Sequence, residues 1–186
     1  MSVESTPLPS EVSEPRWLYA FQADESFDAP GDEMGIPTAG KWMLFCNTET
    51  IDDIWKRVAD AVKEGDLGPV ACASSAGMAR DNKQVIFVYV TDWRDTEEVK
   101  RVLSGIRALG VEDRLSFKRD ADSVMRNIPN ANNATYISAS SSEFYTKRAG
   151  GRRELTGSRY EDHEVVQMLE EQLHDAIVAA GFRLDL

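Results

Sequence analysis

Cysteine and histidine are scarce in this sequence, with two of each in 186 residues. Two cysteines, Cys46 and Cys72, are too few for a disulfide framework or a thiolate zinc site. Both lie in apolar, strand-like stretches, which suits buried thiols in a reducing compartment. His163 and His174 stand eleven residues apart in the last segment, not at the i, i+4 spacing of a helical metal pair. No metal and no cofactor are expected. No apolar run reaches the roughly 18 residues of a membrane span. The start, "MSVESTPLPSEVSEPRW", lacks the apolar centre of a secretory signal, so the expected compartment is cytoplasmic. Glycine patterns of the P-loop or dinucleotide-binding type are absent, as is a Gly-x-Ser-x-Gly elbow.

What is present is enough apolar residue for one core, 42% of the chain, and an uneven charge. The net charge is −11. Residues 1–33 carry eight acids and one base, and residues 161–186 carry seven acids and one base. Between them, residues 114–153 carry eight bases and three acids. The overall field opposes general polyanion or DNA binding, whereas a local site for one or two phosphates stays open.

Residues 1–14, rich in Ser, Glu and Pro, read as a disordered acidic tail, and residues 15–186 as a single domain. Trp17–Phe21 is the first segment with apolar bulk. "KWMLFC" reads as a strand with Trp42, Leu44 and Cys46 on one side and Lys41, Met43 and Phe45 on the other. Thr50 is placed to cap a helix with Asp53 completing a capping box. Ile51, Ile54, Trp55, Val58 and Val62 recur at helical spacing, and Gly65 is placed to end the helix. "PVACASS" and the continuous apolar run "KQVIFVYV" read as strands joined by the loop "AGMARDN". Asp95 opens a second helix with the stripe Val99, Val102, Leu103, Ile106 and Leu109, ended by Gly110. "RLSFKRD" and "ATYISAS" read as further strands. Residues 120–133 read as loop or a short helical turn, and "SSSEFYTKRAGGRRELTGSRY" as a mobile loop. A last helix is expected over about 161–180. The expected class is α+β, two-layer: a curved, mainly antiparallel sheet backed by about three helices on one face.

"GKWMLF…IDDIWKRVADAVKEGDLGP", followed by "VIFVYVTDWRDTEEVKRVLSGIRALGVEDRLSFK", resembles the basophilic leukaemia-expressed protein family over roughly residues 39–120. Members of that family also carry a phosphothreonine lyase label. The resemblance implies a fold similar to translation initiation factor 4E, in which a curved antiparallel sheet is backed by helices and a ligand sits on the concave side. It also implies a comparison for "TIDDIWKRV", since in 4E proteins a helix tryptophan on the convex surface receives partner peptides. Trp55 is therefore either a core residue of its stripe or a partner-binding residue. Of the four tryptophans, only Trp17 and Trp93 fall at loops or strand ends, so cap binding is not indicated.

Lyase chemistry would need a lysine base, an acid for the leaving phosphate and arginines to hold it. The bacterial effector lyases carry a Lys-aromatic-His motif on a strand. Here the comparable triplet is Lys41-Trp42-Met43, and methionine stands where the histidine is expected. Lys41, at the entrance of a buried strand, is the first candidate, either reaching into the concave face or snorkelling at its edge. Lys118 and Arg119 end a later strand and would line the same rim if the sheet order follows 4E. Arg80 and Lys83 flank a loop that is either an anion nest or a plain hairpin connection. Arg126, Arg148, Arg152 and Arg153 are the remaining basic supply.

Three functions follow as expectations. The first is a binding protein whose concave basic face takes a phosphorylated small molecule, an RNA end or a phosphopeptide through Arg80, Lys83, Lys118, Arg119 and Lys41. The second is a phosphothreonine lyase-like enzyme with Lys41 as catalytic base. The third is an interaction module that uses Trp55 and the convex helices to hold a partner protein.

Overall fold

The computed structural model describes residues 6–22, 38–124 and 134–147. Among the described residues seven strands form one sheet in the order β1-β3-β4-β2-β5-β6-β7. They are β1 (Trp17–Phe21), β2 (Gly40–Asn47), β3 (Val70–Ser74), β4 (Lys83–Val90), β5 (Leu115–Arg119), β6 (Tyr136–Ser138) and β7 (Thr146–Lys147). Every adjacent pair is antiparallel. The sheet is curved and is backed by helices, an α+β design. The helix expected at about 161–180 lies outside the described residues.

Strand alternation divides the sheet's two faces. Leu18, Trp42, Leu44, Ala71, Ala73, Ile86, Val88, Leu115 and Phe117 share one core with the helices α1 (Ile51–Glu64) and α2 (Thr96–Ala108). From α1 come Ile51, Trp55, Val58, Ala59 and Val62, and from α2 come Val99, Val102, Leu103 and Ile106. This is the 3.6-residue stripe meeting the two-residue period. Fully burying one such aliphatic side chain contributes roughly 1.5–3 kcal/mol. Trp42 is fully buried and donates its indole N–H to Val99 O at 3.1 Å, pinning α2 to the central strand.

The helix ends divide by chemistry. Gly65 adopts φ 85° and its N–H bonds back into the last turn, so α1 stops in the left-handed cap that glycine favours. Asp95 caps α2 by accepting from the N–H groups of Glu97 and Glu98, each at 3.1 Å. The expected cap by Thr50 does not form: its hydroxyl donates to Asn47 O at 3.3 Å, and its backbone lies near the helical region. The preceding turn thereby takes the group that would have served the helix.

The amino-terminal stretch also departs from the sequence reading. Within the expected tail, residues 6–14 are docked on the domain. Pro7 O accepts from the Trp55 indole at 3.1 Å, and Pro9 O from the Gln84 amide at 3.1 Å. Ser10 bonds Asp52 through both its N–H and its hydroxyl. The physical reason is that Trp55 and Gln84 are buried polar groups that need acceptors, and backbone carbonyls supply them. Residues 1–5 lie outside the described residues.

Candidate functional site

The second face of the sheet carries the alternate set. It holds Trp17, Tyr19 and Phe21 from β1, Cys72 from β3, and Phe87 and Tyr89 from β4. It also holds Lys41, Met43 and Phe45 from β2 and Lys118 from β5. The registers put Lys41 between Tyr89 on one side and Lys118 on the other. Directly opposed side chains on neighbouring strands stand about 4.5–5.5 Å apart at Cβ. Two lysines thus meet at one end of the face, where β2 begins and β5 ends.

Lys41 is 8% exposed, unusual for a lysine. Its Nζ lies 2.6 Å from Asp120 Oδ1. It also lies 5.2 Å from the ring centroids of Phe87 and of Tyr89. Asp120 opens the short helix α3 (Asp120–Val124) directly after β5, and its N–H bonds Ala39 O at 2.9 Å, which anchors that carboxylate beside the start of β2. The ammonium thus lies over two π faces and against a carboxylate. Gly40 precedes it because a Cβ there would stand 2.4 Å from the Phe117 ring.

The floor beside Lys41 is apolar and strongly desolvated. Burial pushes the Tyr89 hydroxyl well above its usual range, with the neighbouring Cys72 adding to the effect. Burial drives the Cys72 thiol up to about 12, only partly countered by the Lys41 charge and a hydrogen bond with Tyr89. Tyr19 is pushed to about 12, again chiefly by burial. These groups keep their protons at neutral pH and act as donors and packing surface. Trp17 packs on Phe87 with ring centroids 5.2 Å apart, and Tyr19 stacks on Phe21 at 5.9 Å. An aromatic track therefore extends from the lysine end along β1 and β4.

The other expected residues divide. Lys118 joins Lys41 on this face. Arg119 falls on the opposite side, because strand alternation pairs it with Gly40. Its guanidinium forks onto Asp122 at 2.9 and 3.0 Å and lies 4.8 Å over the Trp93 ring. That geometry ties β5 to the loop before α2. Arg80 and Lys83 bridge each other around Asp81 and Asn82, both at positive φ, so this loop is a tight two-residue hairpin turn. Lys83 pairs with Asn47, six residues along β4 from Tyr89. At about 3.3 Å per residue that is roughly 20 Å from the Lys41 end. One phosphate cannot reach both. Trp55 is fully buried in the helix layer, under Pro7.

Asp120, Phe87, Tyr89 and Trp17 were not among the expected site residues. The signal was the odd-numbered positions of β4, aromatic yet out of step with the core residues beside them. Among the described residues no group of His, Cys, Asp and Glu could hold a metal, and no helix is long and apolar enough to cross a membrane.

Two comparisons place these features. The family model described as "Basophilic leukemia-expressed protein Bles03" matches residues 32–124. Among solved structures, eIF4E from a schistosome, complexed with m7GpppA and 4E-BP, superimposes with TM-score 0.53 at 17% identity. That match covers 72% of this chain and 75% of the other. The schistosome eIF4E complexed with m7GpppG and 4E-BP gives the same TM-score, identity and coverage. At that identity the likeness is one of fold.

Proposed function

The chain belongs to the Bles03 family, and on that premise we propose that it is a binding protein that takes a phosphorylated ligand at the Lys41–Lys118 end of its second sheet face. The carrying observation is the direct opposition of Lys41 and Lys118 on that face, beside the rings of Phe87 and Tyr89. Two ammonium groups attract an anion, and the desolvated floor strengthens that attraction relative to water. The adjoining aromatic track favours a ligand that brings a ring system with its phosphate, a nucleotide or an RNA end, over a phosphopeptide. Complexes with m7GpppA and m7GpppG in a protein of this fold are consistent with that reading, although the side chains here carry it.

Lys41 serves this reading through its position, which Asp120 fixes at 2.6 Å. A ligand phosphate would share Lys41 with Asp120 and would also meet Lys118. The lyase alternative has less support: the groups described around Lys41 are Asp120, Lys118 and the rings of Phe87 and Tyr89, and His163 and His174 lie outside the described residues.

A thermal-shift screen with nucleotides, a cap analogue and phosphothreonine peptides tests the proposal, repeated on Lys41→Ala and Lys118→Ala. Stabilisation by a nucleotide or cap analogue that both variants lose is the expected result. A shift with phosphopeptides alone would change the ligand class. Release of inorganic phosphate from the phosphothreonine peptide, lost in Lys41→Ala, would favour the lyase. Absence of any shift would remove the anion site.

A further inference from the structure

The second face of the sheet differs in charge from the chain as a whole. The chain carries 32 acids against 21 lysines and arginines. Among the described residues, the strand positions that share this face hold Lys41, Lys83 and Lys118 and not one Asp or Glu. Asp120, which pairs with Lys41, comes from the short helix that follows β5. An acidic chain that keeps carboxylates off the strands of one face presents that face to an anion.

The lysines stand at both ends of the face. Lys41 and Lys118 lie where β2 begins, and Lys83 pairs with Asn47 where β2 ends, roughly 20 Å away along the strands. Between them the face is apolar and incompletely covered. Met43 pairs with Phe87 and Phe45 with Val85, and Trp17 packs on Phe87 from β1. Phe45 is 56% exposed. Its neighbours Met43, Val85 and Phe87 are half-buried, so it is the open part of a continuous surface and not a lone surface ring. One phosphate cannot bridge lysines so far apart, but several phosphates on one strand can. A duplex keeps its bases stacked inside, whereas a single strand can splay them onto aromatic faces.

This inference rests on the anion site proposed above and extends it. We propose that the whole second face binds a short single strand of RNA, with one phosphate at Lys41 and Lys118, a later phosphate at Lys83, and bases stacked on Phe45 and on the Trp17–Phe87 pair between them. The span of roughly 20 Å suits about four nucleotides, the short end of single-strand sites. Recognition comes from the spacing of phosphates and from ring faces, so it requires no cap and no modified base. Lys83 and Phe45 thereby gain a role that a single-phosphate site leaves unfilled.

The test is calorimetric titration of the full chain with 5′-UMP and with 5′-phosphorylated oligouridylates of two, four and eight residues. Affinity is expected to rise at least about tenfold from 5′-UMP to the tetramer and then to level off. Lys83→Ala and Phe45→Ala should each weaken the tetramer at least about fivefold and leave 5′-UMP unchanged, and Phe45→Tyr, which keeps a ring face, should bind as wild type does. Lys83→Ala should also flatten the log–log salt slope of tetramer binding by about 0.7. Both side chains are exposed, and melting temperatures check that the variants stay folded; for any that does not, the length series on wild type decides. If 5′-UMP binds and the tetramer gains nothing, the strand site is wrong while the Lys41–Lys118 site stands. If neither binds, both fall. A duplex that binds as tightly as the single strand overturns the assignment to RNA single strands. So does a peptide of residues 161–186, with seven acids and one base, that displaces the tetramer with equal affinity.

Discussion

Lys41 and Lys118 face each other across β2 and β5, and the Asp120 carboxylate holds the first of them at 2.6 Å. Like charges directly opposed on a sheet repel; Asp120 offsets that repulsion and follows β5 immediately in sequence. The arrangement ties the start of β2 to the end of β5.

Lys41→Met removes one partner of a pair whose side chains are 10% and 18% exposed. Breaking a fully buried pair this way costs about 3–5 kcal/mol, and the partial exposure of Asp120 brings the expectation down to about 1–3 kcal/mol. Asp120→Asn should cost less, because the amide oxygen still accepts from Lys41. The same change removes a negative charge beside the lysines, so phosphate affinity should rise. Urea unfolding of the two variants checks the order. Equal stability of Lys41→Met and wild type would show that the pair holds nothing.

Alkaline pH should destabilise the fold. Burial raises Cys72 from its ordinary value of 9.0 to about 12 and Cys46 to about 11. In both, the folded state keeps its proton where the unfolded chain has lost it. The stabilisation is therefore complete below about pH 9 and is lost as pH climbs toward 11–12. Denaturation midpoints should hold steady from pH 6.5 to 8 and fall by pH 10.5. Neither thiol should react with a thiol reagent at pH 8 until the chain is unfolded. A flat profile, or prompt labelling of Cys72, would contradict the burial assigned to it.

The two helix starts should respond unequally to alanine. Asp95 accepts two backbone N–H groups of α2, so Asp95→Ala should cost about 1 kcal/mol. Thr50 makes no such bond to α1, so Thr50→Ala should change stability by no more than a few tenths of that. Thermal melts of the pair distinguish them, and equal losses would mean that Thr50 caps after all.

The elements were legible because local pattern decides them. The alternation in "KWMLFC" and "KQVIFVYV", the stripe from Ile51 to Val62 and the glycine at 65 each appear where expected. Placement was less legible, because it depends on which strands neighbour one another. Nothing within "RLSFKRD" says that Lys118 pairs with Lys41, or that Arg119 must then point to the other face. Nothing within "ARDNK" says that Lys83 lies at the far end of β4. Residues 6–14 escaped notice for a different reason: much of their attachment runs through main-chain carbonyls, which every sequence has, and Pro9 and Val12 are too isolated to make an apolar pattern. Thr50 failed as a cap because a nearer acceptor, Asn47 O, took its hydroxyl.

The most direct test of the sheet-face site is a calorimetric titration of wild type and Lys118→Ala with a cap analogue and with GTP, at low and high salt, with melting temperatures measured alongside. A charge-assisted contact contributes about 1.5–3 kcal/mol, so the variant should bind at least about tenfold more weakly, and the salt dependence of binding should shrink with it. If Lys118→Ala binds as tightly as wild type while remaining folded, the two lysines do not form an anion site and the account of this face is wrong.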